Sequence, residues 1–78
     1  MNELILYIQS KIKQRRLAKG LTQEDLAAQS GISYKHIQKL EGSNPSTPSV
    51  FTLYKLCNAL GLSLSEFFSN FPEESPKK

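Results

Sequence analysis

Three times in this chain an apolar residue stands immediately before a serine or threonine, and a second apolar residue follows that hydroxyl by four positions. The sets are Leu21, Thr22 and Leu26; Ile32, Ser33 and Ile37; and Leu62, Ser63 and Phe67. The hydroxyl can accept from a free N–H at the start of a helix, while the two apolar side chains clasp across it as a hydrophobic staple. Asp25 and Glu66, three residues beyond Thr22 and Ser63, are placed to complete capping boxes. Gly20, Gly31, Gly42 and Gly61 fall where the helices have to stop. A chain punctuated in this way is built from short helices whose approach angles are set at their starts. No stretch alternates with the period of a strand.

The first helix is expected from about Glu3 to Lys19. Ile5, Ile8, Ile12 and the stem of Arg16 recur on one face of it, with Leu4 beside them. The second helix is capped by Thr22 and closed by Gly31, and the third runs from Tyr34 to Glu41. Residues 43–48, SNPSTP, cannot continue a helix and form the one real loop. Ser49 caps a fourth helix over Val50–Leu60, with Leu53, Leu56, Cys57 and Leu60 as its buried stripe, and a fifth runs from Leu64 to about Ser69. Seventy-eight residues make one domain, placed at 1–70, with 71–78 a polar, proline-containing tail expected to be disordered. A chain of this size buries only roughly 60% of its surface on folding, so caps and close packing matter more than in a larger protein. The single cysteine, Cys57, permits no internal disulfide and suits a reducing cytoplasm. On an apolar stripe it reads as a small core residue. No apolar run approaches ~18 residues, and the start MNELILYIQSK lacks the order of a signal peptide.

Charge is unevenly spread. Residues 11–39 hold seven basic residues, Lys11, Lys13, Arg15, Arg16, Lys19, Lys35 and Lys39, against Glu24 and Asp25, a net of +5. Residues 40–78 hold three basic and four acidic groups, a net of −1. A basic half beside a near-neutral half points to a polyanion on one face. A lysine-rich helix facing solvent would give the same count.

Two short helices joined by a glycine turn over residues 22–42 make a helix-turn-helix arrangement. With Ile37 and Leu40 facing inward, Tyr34, Lys35, Gln38 and Lys39 project outward. Lys35 and Lys39 are four apart, hence adjacent on the surface, and either can donate to guanine O6 or N7. Tyr34 can reach a phosphate with its hydroxyl or a thymine methyl with its ring. Gln23 sits in the first turn of the second helix, where free backbone N–H groups and the positive dipole end also point, and its amide can donate to a phosphate oxygen. His36 has no Cys, Asp or Glu cluster at ligand spacing, so no metal site and no cofactor are expected. It packs at the helix edge or meets a phosphate. Arg16, on the buried side of the first helix, requires a carboxylate.

LTQEDLA, then GIS, then IQKLE, then LYKLCNALGLSLSEFF together resemble the phage-repressor helix-turn-helix family, also called Cro/repressor or XRE-like, over about residues 10–68. The resemblance implies an all-α, compact five-helix, lambda-repressor-like DNA-binding domain. It implies a sequence-specific regulator of transcription on double-stranded DNA, with residues 34–41 in the major groove of a palindromic operator. By position in the family motif, Ser33, Tyr34, Lys35 and Lys39 map to base-facing sites, and Gln23 with its neighbour Thr22 maps to a phosphate. Of the loop residues Ser43, Asn44, Ser46 and Thr47, the candidates for the sugar-phosphate chain are Ser43 and Asn44. The resemblance also implies an ion pair between Arg16 and Glu41. Two departures stand out: Arg15 occupies a position that is often apolar, and the loop after Glu41 is about one residue longer than the commonest form.

Phe67, Phe68 and Phe71 lie within five residues, and one small monomer can bury about one of them fully. Phe67 belongs to a staple. Either Phe68 and Phe71, with Leu64 beside them, form the interface of a homodimer, or Phe68 and Phe71 fold back on the first helix over Leu4 and Ile5. A different use of the same end is an antitoxin or anti-repressor module that holds a protein partner, such as a toxin or co-regulator. No nucleophile–base pair, phosphate-binding glycine loop or metal set supports an enzyme.

Overall fold

The computed structural model describes residues 3–69 and 71 of the chain, and among them it is all-α, with five helices and no strand. These are α1 (Glu3–Ala18), α2 (Gln23–Ser30), α3 (Tyr34–Glu41), α4 (Val50–Leu60) and α5 (Leu64–Phe67). The expected tail, apart from Phe71, lies outside the described residues.

The helix starts are built as the spacing predicts. Thr22 Oγ1 accepts the Asp25 N–H at 3.0 Å, and Asp25 Oδ2 accepts the Thr22 N–H at 3.0 Å. Ser63 and Glu66 repeat the exchange at 3.0 and 2.9 Å. Hydrogen bonding from the Thr22 backbone, then from its hydroxyl, holds the Asp25 carboxyl below the usual carboxylate value. Ser33 and Ser49 cap α3 and α4 by accepting from His36 and Thr52. The far member of each staple is fully enclosed: Leu26, Ile37 and Phe67.

Helix ends are less uniform. Gly31 takes the left-handed conformation (φ +77°) that closes α2. Gly42 does not; it is extended (φ −77°, ψ −179°). The end of α3 is held from outside instead, by Gln9 of α1, whose Nε2 donates to the Glu41 carbonyl at 3.3 Å and to the Gly42 carbonyl. The last carbonyls of a helix have no partner within it, so a side chain from a neighbouring helix satisfies them here.

α2 packs on α3 and α4, α1 packs on α3 and α4, and α5 closes against α4. The core is Ile8 and Ile12 from α1, Leu26 and Ile32 around the turn, Ile37 and Leu40 from α3, the four α4 stripe residues, and Phe67. Burying the Phe67 ring contributes about 2–3 kcal/mol of transfer free energy.

α5 is shorter than its expected reach to Ser69. Phe68 leaves helical geometry (φ −97°, ψ 7°), and the Ser69 and Phe71 N–H groups bond three residues back, at 3.3 and 3.1 Å. The aromatic rings of this segment lie on α1. Tyr7 stacks on Phe68 with centroids 5.9 Å apart and meets Phe71 edge-on at 5.0 Å. Its hydroxyl donates to the Phe67 carbonyl at 2.5 Å. Phe68 and Phe71 therefore fold back on the first helix, against Tyr7, and are half-buried. Among the described residues the most exposed large apolar side chains lie elsewhere: Val50 (71%), Phe51 (65%) and Tyr54 (52%) on α4, and Leu17 (57%) on α1.

Candidate nucleic-acid interface

α3 can present a reading surface only if its inner side is anchored. Ile37 and Leu40 are enclosed and Ser33, Tyr34, Lys35 and Lys39 are exposed, with His36 half-buried between them. The anchor at the C-terminal end of α3 is an ion pair. Arg16 Nε donates to Glu41 Oε2 at 2.8 Å and Arg16 Nη2 to Glu41 Oε1 at 2.9 Å, a two-pronged match of planar groups. The side chains are 9% and 2% exposed. A third donor, Arg16 Nη1, reaches the Leu21 carbonyl at 2.8 Å. The hydrogen bond to Glu41 and its negative charge push the Arg16 pKa above its ordinary value, against the opposing effect of burial.

Two open grooves flank the start of α3. One is lined by Tyr34 together with Thr22, Gln23, Glu24 and the α1–α2 turn. The other is lined by Ser33, Lys35, His36, Lys39 and Ser46. Of the candidates for base and phosphate contacts, Thr22, Gln23 and Tyr34 line the first groove and Ser33, Lys35, His36 and Lys39 the second. The cap hydroxyls of Thr22 and Ser33 accept backbone N–H groups with their oxygens, and each keeps its proton to donate outward. Glu24 places a carboxylate beside Gln23, favourable for the helix dipole and repulsive to a phosphate on that side.

Ser43 and Asn44 are exposed on the loop but line neither groove. Ser46 does, because Pro45 is buried and turns the loop inward there. A proline in the middle of a polar loop was the available signal. Gln23 also carries a feature that spacing did not indicate: its Nε2 donates to Glu41 Oε1 at 3.1 Å.

The cations of the basic segment meet different surroundings. Arg16 is buried and neutralised by Glu41. Lys11 Nζ sits 5.8 Å from the Tyr7 ring centroid, and Lys19 Nζ lies against Gly61. Arg15 Nε is buried without a hydrogen-bond partner; nothing in the packing explains it. Lys35 and Lys39 remain as the cations of α3. Burial pushes the Cys57 thiol pKa up, which keeps it protonated and unreactive. Among the described residues no group of three or more His, Cys, Asp or Glu is placed to hold a metal, and no helix is long and apolar enough to cross a membrane.

The sequence profile described as helix-turn-helix matches residues 12–67. The chain is 44% identical over 54 residues to an uncharacterized HTH-type transcriptional regulator, y4dJ, of Sinorhizobium fredii, covering 69% of each protein. It is 36% identical over 72 residues to an uncharacterized transcriptional regulator in the ATPase CF(0) region of Rhodospirillum rubrum, covering 91% of this chain and 65% of that protein. It is 41% identical over 64 residues to the HTH-type transcriptional regulator PuuR of Escherichia coli, covering 82% of this chain and 34% of that protein. No solved structure matches it.

Because the carboxylate is enclosed, Arg16→Met strands a buried charge and is expected to destabilise the fold by ~3 kcal/mol. Replacing both partners, Arg16→Met with Glu41→Leu, is expected to be near neutral, since apolar substitutes for a buried pair often are. Urea denaturation reads both. A loss under ~0.5 kcal/mol for Arg16→Met, the bottom of the range for an exposed pair, contradicts a structural role.

Proposed function

The chain belongs to the helix-turn-helix family of DNA-binding transcriptional regulators, and from that premise we propose that α3 enters the major groove of a palindromic operator. The observation that carries this reading is the pair of grooves beside α3. A helix that lies in the major groove has a phosphate chain on either side of it, and here polar, donor-bearing groups line both sides of the helix start. Ser33, Tyr34, Lys35 and Lys39 face the bases. Lys35 has the strongest claim to specify, as an exposed cation near the N-terminal end of the helix. Thr22 and Gln23 hold the phosphates on one side. His36 and Ser46 serve the other from the groove itself, and Ser43 and Asn44, exposed on the loop outside it, meet the same phosphate chain. The protein works in the cytoplasm, on double-stranded DNA.

The proposal extends to a homodimer, which would set two copies of α3 about 34 Å apart, one turn of the duplex. Leu64, Phe68 and Phe71 keep a half-exposed rim for such a contact. The α4 face of Val50, Phe51 and Tyr54 is the more open apolar surface, and it also favours the second reading, a contact with another protein such as a toxin or co-regulator.

Lys35→Ala is expected to reduce discrimination between operator and random duplex by about tenfold, the low end for one base contact. Gln23→Ala is expected to weaken binding to both about equally. Titration of labelled duplexes at fixed salt measures this; unchanged discrimination with Lys35→Ala removes α3 as the reader. Light scattering at micromolar protein is expected to give a dimer mass, and a strict monomer there contradicts the homodimer.

A further inference from the structure

Gln23 is the phosphate-contacting candidate with a buried partner. Its carboxamide nitrogen donates to Glu41 Oε1 at 3.1 Å, and the same oxygen accepts from Arg16 Nη2 at 2.9 Å. An ionised carboxylate only accepts, so it admits the nitrogen of the amide and repels its oxygen. That fixes which way the amide faces. An amide nitrogen carries two protons: one is committed to Glu41, and the second is left for another acceptor, on a residue that lines the groove with Thr22 and Tyr34. The carboxylate is held in turn by Arg16, whose remaining bond to the Leu21 carbonyl fixes it against the turn entering α2.

We infer that the Arg16–Glu41 pair is a positioning device for DNA binding as well as a structural tie, orienting the Gln23 amide so that its second N–H is presented to a phosphate oxygen. This rests on the reading that Gln23 meets a phosphate. Glu41 and Arg16 touch no DNA in this account; they act through Gln23. An unheld glutamine has to freeze its rotatable bonds on binding, and half of its amide orientations offer the phosphate an oxygen. A glutamine held by Glu41 meets neither cost.

The test is a cycle of variants on a short random-sequence duplex, since a phosphate contact requires no operator. In the native background Gln23→Ala is expected to lower affinity about tenfold, as for one hydrogen bond to a charged group. In the Arg16→Met, Glu41→Leu background, verified as folded by circular dichroism, the same substitution is expected to cost less than about twofold, because the amide is no longer presented. A purely structural pair would leave the two losses equal, and equal losses overturn the inference while leaving DNA binding in place. A parent chain that binds no duplex overturns the reading beneath it and this inference with it. The unmodified chain gives an independent answer by NMR. One Gln23 side-chain amide proton is expected to be protected from solvent exchange in the free protein, and both in the complex. Two freely exchanging protons in the free protein overturn the inference even if the double variant does not fold.

Discussion

The Arg16–Glu41 pair joins three helices at one point. Arg16 comes from α1, Glu41 ends α3, and Gln23 at the start of α2 leans on the same carboxylate. Gln9 of α1 adds a hold on the carbonyls that end α3. The helix-turn-helix has only eight residues in each helix, too few to be stable alone in water. Its geometry is therefore imposed by neighbours. Ile37 and Leu40 seat α3 on the core, and the directional ion pair adds a fixed point at its C-terminal end.

Much of this was legible in the residues. Caps, staples and helix limits are local: they depend on side chains three to five positions apart, so Thr22, Ser33, Ser49 and Ser63 are all found capping. The Arg16–Glu41 pair followed from an arginine on an apolar face, helped by the family resemblance. What escaped was long-range or depended on packing. Gln9 and Tyr7 sit on α1 without any feature that announces a partner, and their bonds reach residues 33 and 60 positions away. The length of α5 was overestimated because the aromatic cluster pulls the chain into tighter turns after Phe67. The open face of α4 is not legible in the sequence because Val50, Phe51 and Tyr54 are as apolar as its buried stripe, and only packing decides which side is covered.

The candidate interface shows the same division. Which residues of α3 face outward followed from its apolar spacing. How they divide between two grooves, and the presence of Ser46 in place of Ser43 and Asn44 on one of them, depended on where the buried Pro45 turns the loop. Charge along the sequence was a poor guide to charge in space. Of seven cations in the basic half, one is buried in an ion pair, and Lys11 and Lys19 lie against Tyr7 and Gly61. On α3 itself the exposed cations are Lys35 and Lys39. In the proposed function these directed donors specify, while cations elsewhere can only help to position, since phosphates position and bases specify.

In the proposed function α3, held by this framework, reads a DNA sequence. Binding-site selection from a pool of random duplexes with the unmodified chain tests it most directly. The account predicts an enriched motif with guanines opposite the lysines, in two half-sites related by a dyad and ~10 base pairs apart. Recovered duplexes indistinguishable from the starting pool, despite measurable binding, would contradict it.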